Sequence, residues 1–591
     1  MSRFTPPAFT PPASSIINRD NREHEPVDIA IVCEGTYPYV RGGLAAVVHQ
    51  LCTGMPHLRI GIIHLTWDKD SPNSLKYDLP ENVAWVLPIY QATARHDAAF
   101  SDAHPREAAR TRFGRRRLTK RLMAAFDAHM NGSDAELWAL YDEGINPLTR
   151  RFNLWGLIGS QEFMELATVQ FASADTSLTD LFWQLRDFAS LAYAAMSVEF
   201  PKAQIYHAHT TGLAGLVAAA AARQHNAKFL LTEHNLYVRD AVNNLLNRPV
   251  GSAVTASDWK SLETYEDKEG LLRKPTSRDR SWMAWFTRLG SLAYRAADQV
   301  TYLHTGAVSD ASLLGGLSSK SILIPNGVEI APFMASRAVF DKRALSRRSL
   351  LARGGDYTWR FAFVGRVVPL KGVTELLHAL AAVRGMGITN FTLDICGPDD
   401  EDPTYAAECV TLAAKLGLNK IVKFRGPVDI PAELGSFDAL LMPSHTEGLP
   451  IALLEAMAVG LPSIVTDVGA NFAVVAAPVF SDISHEANDQ PIGPTGLVVP
   501  PRDKAALTNA IASLIMTPER FEAFSLNARR RVDEIYSLNL VLEAYARVYA
   551  ALGVENANVF ASEISNVSTV SISDSVRQLE IPADNHNLVT T

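Results

Sequence analysis

Short apolar runs separated by amphipathic stretches set the rhythm of this chain. "VDIAIVCEG" (27–35) is a strip of apolar and small residues ending at Gly35, the pattern of a strand buried on both faces. "RGGLAAVVHQLCTGM" follows as a glycine turn and an amphipathic helix, and "RIGIIHLTW" (59–67) reads as a second strand. Strand, helix and strand in this order predict a βαβ unit, and its repetition predicts a doubly wound parallel sheet.

Residues 91–200 break the rhythm. They are rich in Ala, Arg and aromatics at helical spacing, as in "LTDLFWQLRDFASLAYAAMSVEF", and predict a helical insertion in the first domain. Strands return at 203–209, 228–234, 298–304 and 319–328. The polar segment 240–280 reads as a mobile surface loop with some helix. After a basic linker (341–355), six further strands are expected at 359–367, 391–398, 420–428, 437–444, 462–469 and 495–501. Helical runs separate most of them, the 429–436 connection being the weakest. A last helix is expected over 518–552. Residues 1–26 and 555–591 read as disordered tails, the first rich in Pro and Ser, the second polar throughout. Two open α/β sheets place ligands beyond the carboxyl ends of their strands.

Bulk composition narrows the function classes. The chain has 591 residues, 47% apolar and 20% charged, enough for two large cores. A net charge of −8 and a pI near 6.1 argue against a nucleic-acid protein. Cys33, Cys52, Cys396 and Cys409 are scattered, as in reduced buried thiols and unlike a disulfide frame or zinc site. No apolar stretch reaches transmembrane length, and the first residues lack the apolar core of a signal peptide.

Candidate chemistry sits at the strand ends. Gly42 and Gly43 precede a helix, where backbone amides can approach a phosphate; a plain tight turn explains them equally. Arg366 and Lys371, in "VGRVVPLKG", put two cations beside a helix start, as a diphosphate clamp does; the bland alternative is two solvated charges. In "SHTEGLPIALLEAMAVG", Glu447 stands in a loop and Glu455 inside an apolar helix, where a carboxylate is costly unless paired. Ribose hydroxyls or a neighbouring strand would satisfy Glu455. His207, His209 and His234 fall at or near consecutive strand ends, with Glu233 and Arg239 close in sequence. Zinc is not expected from this pattern.

"RVVPLKG" followed by "HTEGLPIALLEAMAVGLPSIVTDVG" resembles the donor site of the retaining glycosyltransferases of family 4, with their glutamate pair at Glu447 and Glu455. "CEGTYPYVRGGLAAVVHQL" and "LLTEHNLYVRD" are more similar still to the PelF-like glycosyltransferases of exopolysaccharide synthesis. The resemblance covers about residues 27 to 550. It implies the GT-B fold: two Rossmann-like domains facing a cleft, an acceptor domain at 27–335, a nucleotide-sugar domain at 356–517 and a helix at 518–552 crossing back. It implies that Arg366 and Lys371 hold the diphosphate of a nucleotide sugar, that Glu455 bonds the ribose and that Glu447 faces the donor sugar. Gly448, Leu449, Pro450 and Ile451 would hold sugar and phosphate, and Gly42 and Gly43 would close over the phosphate. The resemblance implies a first-domain catalytic histidine, His209 before His207, with His234 and Arg239 on the acceptor side. The implied donor is a UDP-sugar and the acceptor a growing polysaccharide or other glycan. The implied setting is the cytoplasm, at the inner face of a membrane, with a membrane-bound polysaccharide synthesis complex as partner and no nucleic acid.

Leaving-group charge in such a transfer can be stabilised by Arg, Lys and helix amides, so no metal and no other cofactor is expected. "PDDED" (398–402) reads as a solvated acidic loop. "RTRFGRRRLTKR" (110–121) reads as a solvated helix face, or else as a patch for anionic lipid or an acidic partner. Competing readings are a UDP-sugar 2-epimerase and a non-catalytic nucleotide-sugar-binding subunit of an assembly complex, which would not need the histidines.

Overall fold

The computed structural model describes residues 17–18, 25–68, 70–71, 74–92, 103–172, 177–246, 275–479 and 491–557. Most of both tails and of the 240–280 segment therefore lies outside the described residues. The chain divides into two compact units, Met1–Tyr302 with Ala307–Ser321 and Tyr549–Ala557, and Leu303–Gly306 with Ile322–Val548 and Asn558–Thr591.

The first unit is built on an eight-stranded sheet. Its strands are β1 (Ile17–Asn18), β2 (Val27–Glu34), β3 (Ile60–Thr66), β4 (Val83–Tyr90), β5 (Ala203–Ala208), β6 (Lys228–Glu233), β7 (Gln299–Tyr302) and β8 (Ser321–Leu323), in the order β1-β4-β3-β2-β5-β6-β7-β8. β2 pairs in parallel with β3 on one side and β5 on the other, so the order reverses at β2. That is the switch point of a doubly wound sheet, where polar strand ends can face a ligand.

β4 is a strand that the apolar pattern did not single out, although all eight of its residues are buried. Pro88 interrupts it and hides its character. Among the described residues β1 pairs with Trp85 and Val86 alone, so no described strand asks Pro88 for an amide on that side.

The insertion is helical, with its longest helices at Arg112–Met130 and Leu178–Met196. Thr111, Ser160 and Ser177 cap three helices through their hydroxyls. The basic stretch 110–121 is largely the solvated helix face expected, with Arg110, Arg112, Arg116, Arg117 and Lys120 exposed, while Arg115 and Arg121 turn to neighbouring helices. Arg112 and Arg115 each reach Glu162 at 2.9 Å, and Arg121 reaches Glu143 at 2.6 Å and also Glu136. These pairs tie the stretch to its neighbouring helices.

The second unit has a six-stranded, all-parallel sheet. β9 (Trp359–Val364), β10 (Phe391–Cys396), β11 (Val422–Gly426), β12 (Ala439–Met442), β13 (Ser463–Thr466) and β14 (Gly496–Val499) run in the order β11-β10-β9-β12-β13-β14. The expected basic linker at 341–355 is mostly the end of a helix, Met334–Ala352. No Gly or Pro interrupts that span, and its cations have buried work. Arg347 lies 2.8 Å from Asp438, which is fully buried and also accepts from the Tyr357 hydroxyl and the Arg360 amide. The expected helix over 518–552 is broken into Glu519–Arg531 and Leu538–Ala551. A π turn over Val532–Tyr536 separates them, because Val328 bridges the chain here: its amide donates to Tyr536 O and its carbonyl accepts from Leu538 N, both at 2.9 Å. All four cysteines are buried free thiols.

Candidate functional site

In the second unit the predicted donor residues sit where parallel strands give way to loops. β9 ends in Gly365 and Arg366, and β12 leads into His445, Glu447 and the helix Ile451–Val459. Lys371 closes a short 3₁₀ turn, Pro369–Lys371, just ahead of helix Val373–Gly385. The Lys371 ammonium donates to Glu447 Oε1 at 2.6 Å, with Glu447 almost buried. Arg366 is half exposed and pairs with Glu401, so the acidic loop 398–402 is the arginine's counter-charge.

Glu455 is different. It lies on the helix Ile451–Val459, most of whose other residues are fully buried. Burial alone raises its carboxyl to about 7. Among the described residues it has no hydrogen-bond or ion-pair partner, and its side chain is only half-buried, so the carboxylate can be reached by a ligand. The same helix starts at Pro450, which has no amide, and no side chain caps it. Its first amides are therefore left for an anion.

The loop that carries Glu447 has a backbone support. Ala470 N donates to Gly448 O at 2.8 Å, and Gly469 lies against it with φ +56. A Cβ at Gly469 would stand 2.2 Å from Glu447 O. Only glycine permits that approach.

In the first unit Gly42 caps the helix Gly43–Gly54, and a Cβ on either glycine would meet nothing within 4 Å. The three histidines are brought together. His207 and His209 have ring centroids 4.2 Å apart, and His209 stacks on His234 at 5.2 Å. Their roles separate at once. His207 has both nitrogens engaged, Nδ1 with the Tyr549 hydroxyl at 2.8 Å and Nε2 with Thr232 Oγ1 at 2.7 Å. His209 Nδ1 meets His234 Nε2 at 2.9 Å, while His209 Nε2 is buried without a partner. Burial lowers His207 to about 3 and His234 to about 4, and pulls His209 well below its usual range, so all three rings are neutral at pH 7. Arg239 pairs with its neighbour Asp240 at 3.0 Å.

Glu233, named with the histidines from the sequence, ends β6 and is lifted by burial to about 8 although it accepts from Tyr237 N at 3.1 Å and the Tyr294 hydroxyl at 3.0 Å. Sequence reasoning missed several groups. Glu34, at the end of β2, is lifted to about 7 by burial, which the amides of Ala214 and Leu213 offset only in part, and its Oε2 has no hydrogen-bond partner. Thr36, Thr210 and Thr211 add further buried hydroxyls without partners at these strand ends. In the second unit His445 Nε2 lies 3.5 Å from Glu375 and its Nδ1 is buried without a partner. Burial pushes Glu375 up, but His445 and the Thr374 hydroxyl outweigh it and hold the carboxyl at about 2. The signal for all of these was their place one to three residues beyond an apolar run. Among the described residues, no group of three or more His, Cys, Asp or Glu is arranged to hold a metal ion, and no helix is long and apolar enough to cross a membrane.

Residues 27–315 match the family described as "Domain of unknown function (DUF3492)", and residues 351–531 match "Glycosyl transferases group 1". The second unit thus carries a glycosyl transferases group 1 domain. A D-inositol 3-phosphate glycosyltransferase of Salinispora arenicola is 27% identical over 248 residues, which is 40% of this chain and 52% of that protein. The chain spans about half the length of the curated relatives it matches. Sucrose-phosphate synthase from Thermosynechococcus elongatus superposes with a TM-score of 0.51 at 16% identity, over 89% of this chain and 99% of that one. HepE of Anabaena, solved in complex with UDP, gives 0.52 at 14% identity, over 89% and 100%. What these structures share with this chain is the fold: two Rossmann-like units with parallel sheets, the GT-B architecture.

Proposed function

We propose that this chain transfers a sugar from a nucleoside-diphosphate sugar, UDP-linked, to a growing polysaccharide or other glycan, with retention at the anomeric carbon and without a metal. The observation that carries the reading is Glu455, a half-buried carboxyl with no protein partner among the described residues, on the helix that follows the Lys371–Glu447 pair. Ribose hydroxyls are the donors that a stranded carboxylate at such a place requires. Two cations and uncapped amides gather at strand ends of the same sheet.

Cleaving a sugar–phosphate bond leaves negative charge on the departing diphosphate. Arg366, Lys371 and the amides at the start of helix Ile451–Val459 are fixed donors aimed at such charge, and a fixed cation can stand in for a metal. Gly448 to Ile451 line the sugar and phosphate, and Glu447, released from Lys371 when phosphate replaces it, meets the donor sugar. In the first unit His209 is the catalytic histidine in preference to His207, because its Nε2 has an open valence and stays neutral. His234 orients it, and the polar strand ends around Arg239 receive the acceptor. The PelF-like sequences at 33–51 and 230–240 support an exopolysaccharide acceptor at the cytoplasmic face of a membrane, with a membrane-bound synthesis complex as partner.

Calorimetric titration with UDP, GDP, UDP-glucose and UDP-N-acetylglucosamine tests the reading. Saturable binding of UDP and at least one UDP-sugar without added metal is expected; no binding by any of the four overturns it.

A further inference from the structure

The helical insertion and the helix Ser277–Ala296 border a cavity of about 510 Å³. That is the size of a small-molecule site. Every lining residue belongs to the first unit, and none is among the site residues above.

Its walls are unequal. The helices at Arg112–Met130, Ala135–Gly144, Gln161–Phe171 and Leu178–Met196 contribute mainly Leu, Phe and Trp, among them Phe126, Trp138 and Phe188. The helix Ser277–Ala296 contributes Trp285, Leu289 and Leu292 together with the polar Ser277, exposed Arg280, Ser281 and Arg288. No carboxylate lines the cavity, while two arginines do. Arg280 gives one N–H to Pro275 O at 2.8 Å. Arg288 makes no hydrogen bond or ion pair among the described residues, and burial pulls it below its ordinary value, eased only by the charge of Asp127. His129, also on the wall, is already held by Asp134 and Arg295.

A cavity lined mainly by apolar side chains is best filled by an apolar body. Left empty it forgoes packing in proportion to its volume. An unpaired guanidinium beside apolar walls is satisfied by an anion that brings its own apolar body. From the cavity volume, the apolar wall and the unpaired Arg288, we infer that the insertion binds a single long alkyl chain ending in an anionic group, with the anion at Arg280 and Arg288.

The test uses the full chain and cis-parinaric acid, a fluorescent fatty acid that takes energy from tryptophan. Trp138, Trp155 and Trp285 line the cavity and serve as donors. Saturable binding with loss of tryptophan emission is expected. Ala192→Phe and Ala284→Trp, on two different helices, fill the space and should abolish it with far-UV circular dichroism unchanged. Arg288→Met should weaken the acid about tenfold or more, the loss of a charge-assisted hydrogen bond, and leave binding of the matching long-chain alcohol unchanged. Arg288→Met does not change the apolar wall, so it remains readable if both filling variants unfold. Absence of saturable binding by the unsubstituted chain overturns the site, as does full binding by a folded filling variant. Equal affinity for acid and alcohol, with Arg288→Met indifferent, overturns the anionic ligand.

Discussion

Lys371 and Glu447 hold each other at 2.6 Å, with four-fifths or more of each side chain buried. The cation assigned to the diphosphate and the carboxylate assigned to the sugar neutralise one another in the free protein. In the proposed reaction a ligand phosphate competes with Glu447 for the ammonium and so frees the carboxylate to turn towards the sugar.

Breaking this pair from its two sides therefore has different outcomes. Lys371→Ala removes the phosphate's cation and leaves Glu447 charged and unpaired, so UDP affinity should fall about tenfold or more. Glu447→Gln removes the competitor, so UDP should bind as well or better while turnover of the UDP-sugar collapses. Calorimetry with UDP and a product assay separate the two. Equal loss of UDP affinity in both variants would show that Glu447 supports phosphate binding directly.

Glu455 makes a prediction about pH. Its carboxyl titrates near 7 in the folded chain, against an ordinary 4.5, because it is partly buried. The native state then holds the proton more tightly than the unfolded chain. The cost to stability is absent below pH 4.5, grows between about 4.5 and 7, and is complete above that. It is on the order of 3 kcal/mol at the most. Glu455→Gln should match the natural chain in melting temperature at pH 4 and exceed it by a few degrees at pH 8. The same variant should lose UDP affinity, since an amide is a poorer acceptor for ribose hydroxyls. Unchanged UDP affinity would remove Glu455 from the nucleotide site.

His207 and His209 should fail in different assays. His207 bridges Tyr549 and Thr232 with no exposed surface, so His207→Ala leaves two hydroxyls without that partner and should cost about 2–4 kcal/mol in unfolding measurements. His209→Ala should leave stability closer to the natural chain and abolish most turnover. Because burial keeps all three rings neutral, the unfolded chain binds more protons than the first unit does below pH 6.5. Stability should fall as pH drops from 6.5 towards 4, and His207→Ala should flatten part of that slope. Normal turnover in His209→Ala would take the catalytic role away from it.

The difference between these two histidines shows where the sequence stops being legible. In "IYHAHTT" they stand two residues apart, His207 in β5 and His209 just beyond its end, and nothing local shows which is free to act. Tyr549, 342 positions away, decides which ring is occupied. The buried strands β2, β9 and β10 were readable because each is mostly apolar and is followed by glycine. β4 was not, because Pro88 interrupts its apolar pattern. The basic stretch at 341–355 read as a linker because Asp438, the acid that Arg347 holds, lies 91 positions beyond that arginine. The pairing of Glu447 with Lys371 was equally hidden, although each was expected at the donor site.

The loop that holds Glu447 can be disturbed without touching any side chain. Gly469 has φ +56, and a methyl group there would stand 2.2 Å from Glu447 O and 2.4 Å from Gly448 O. Those atoms are backbone, so the methyl can be relieved only by moving the loop or by breaking the bond from Ala470 N to Gly448 O. Gly354 is the matching control, since its φ is +72 but a Cβ there meets nothing within 4 Å. Gly354→Ala should cost only the left-handed strain, about 1 kcal/mol. Gly469→Ala carries that strain and the collision, and should lower turnover about tenfold or more, by carrying Glu447 out of place. The comparison is made on sugar transfer and on melting temperature together. If Gly469→Ala melts lower than Gly354→Ala yet transfers sugar normally, the position of Glu447 does not govern the reaction, and its carboxylate serves only as the resting partner of Lys371.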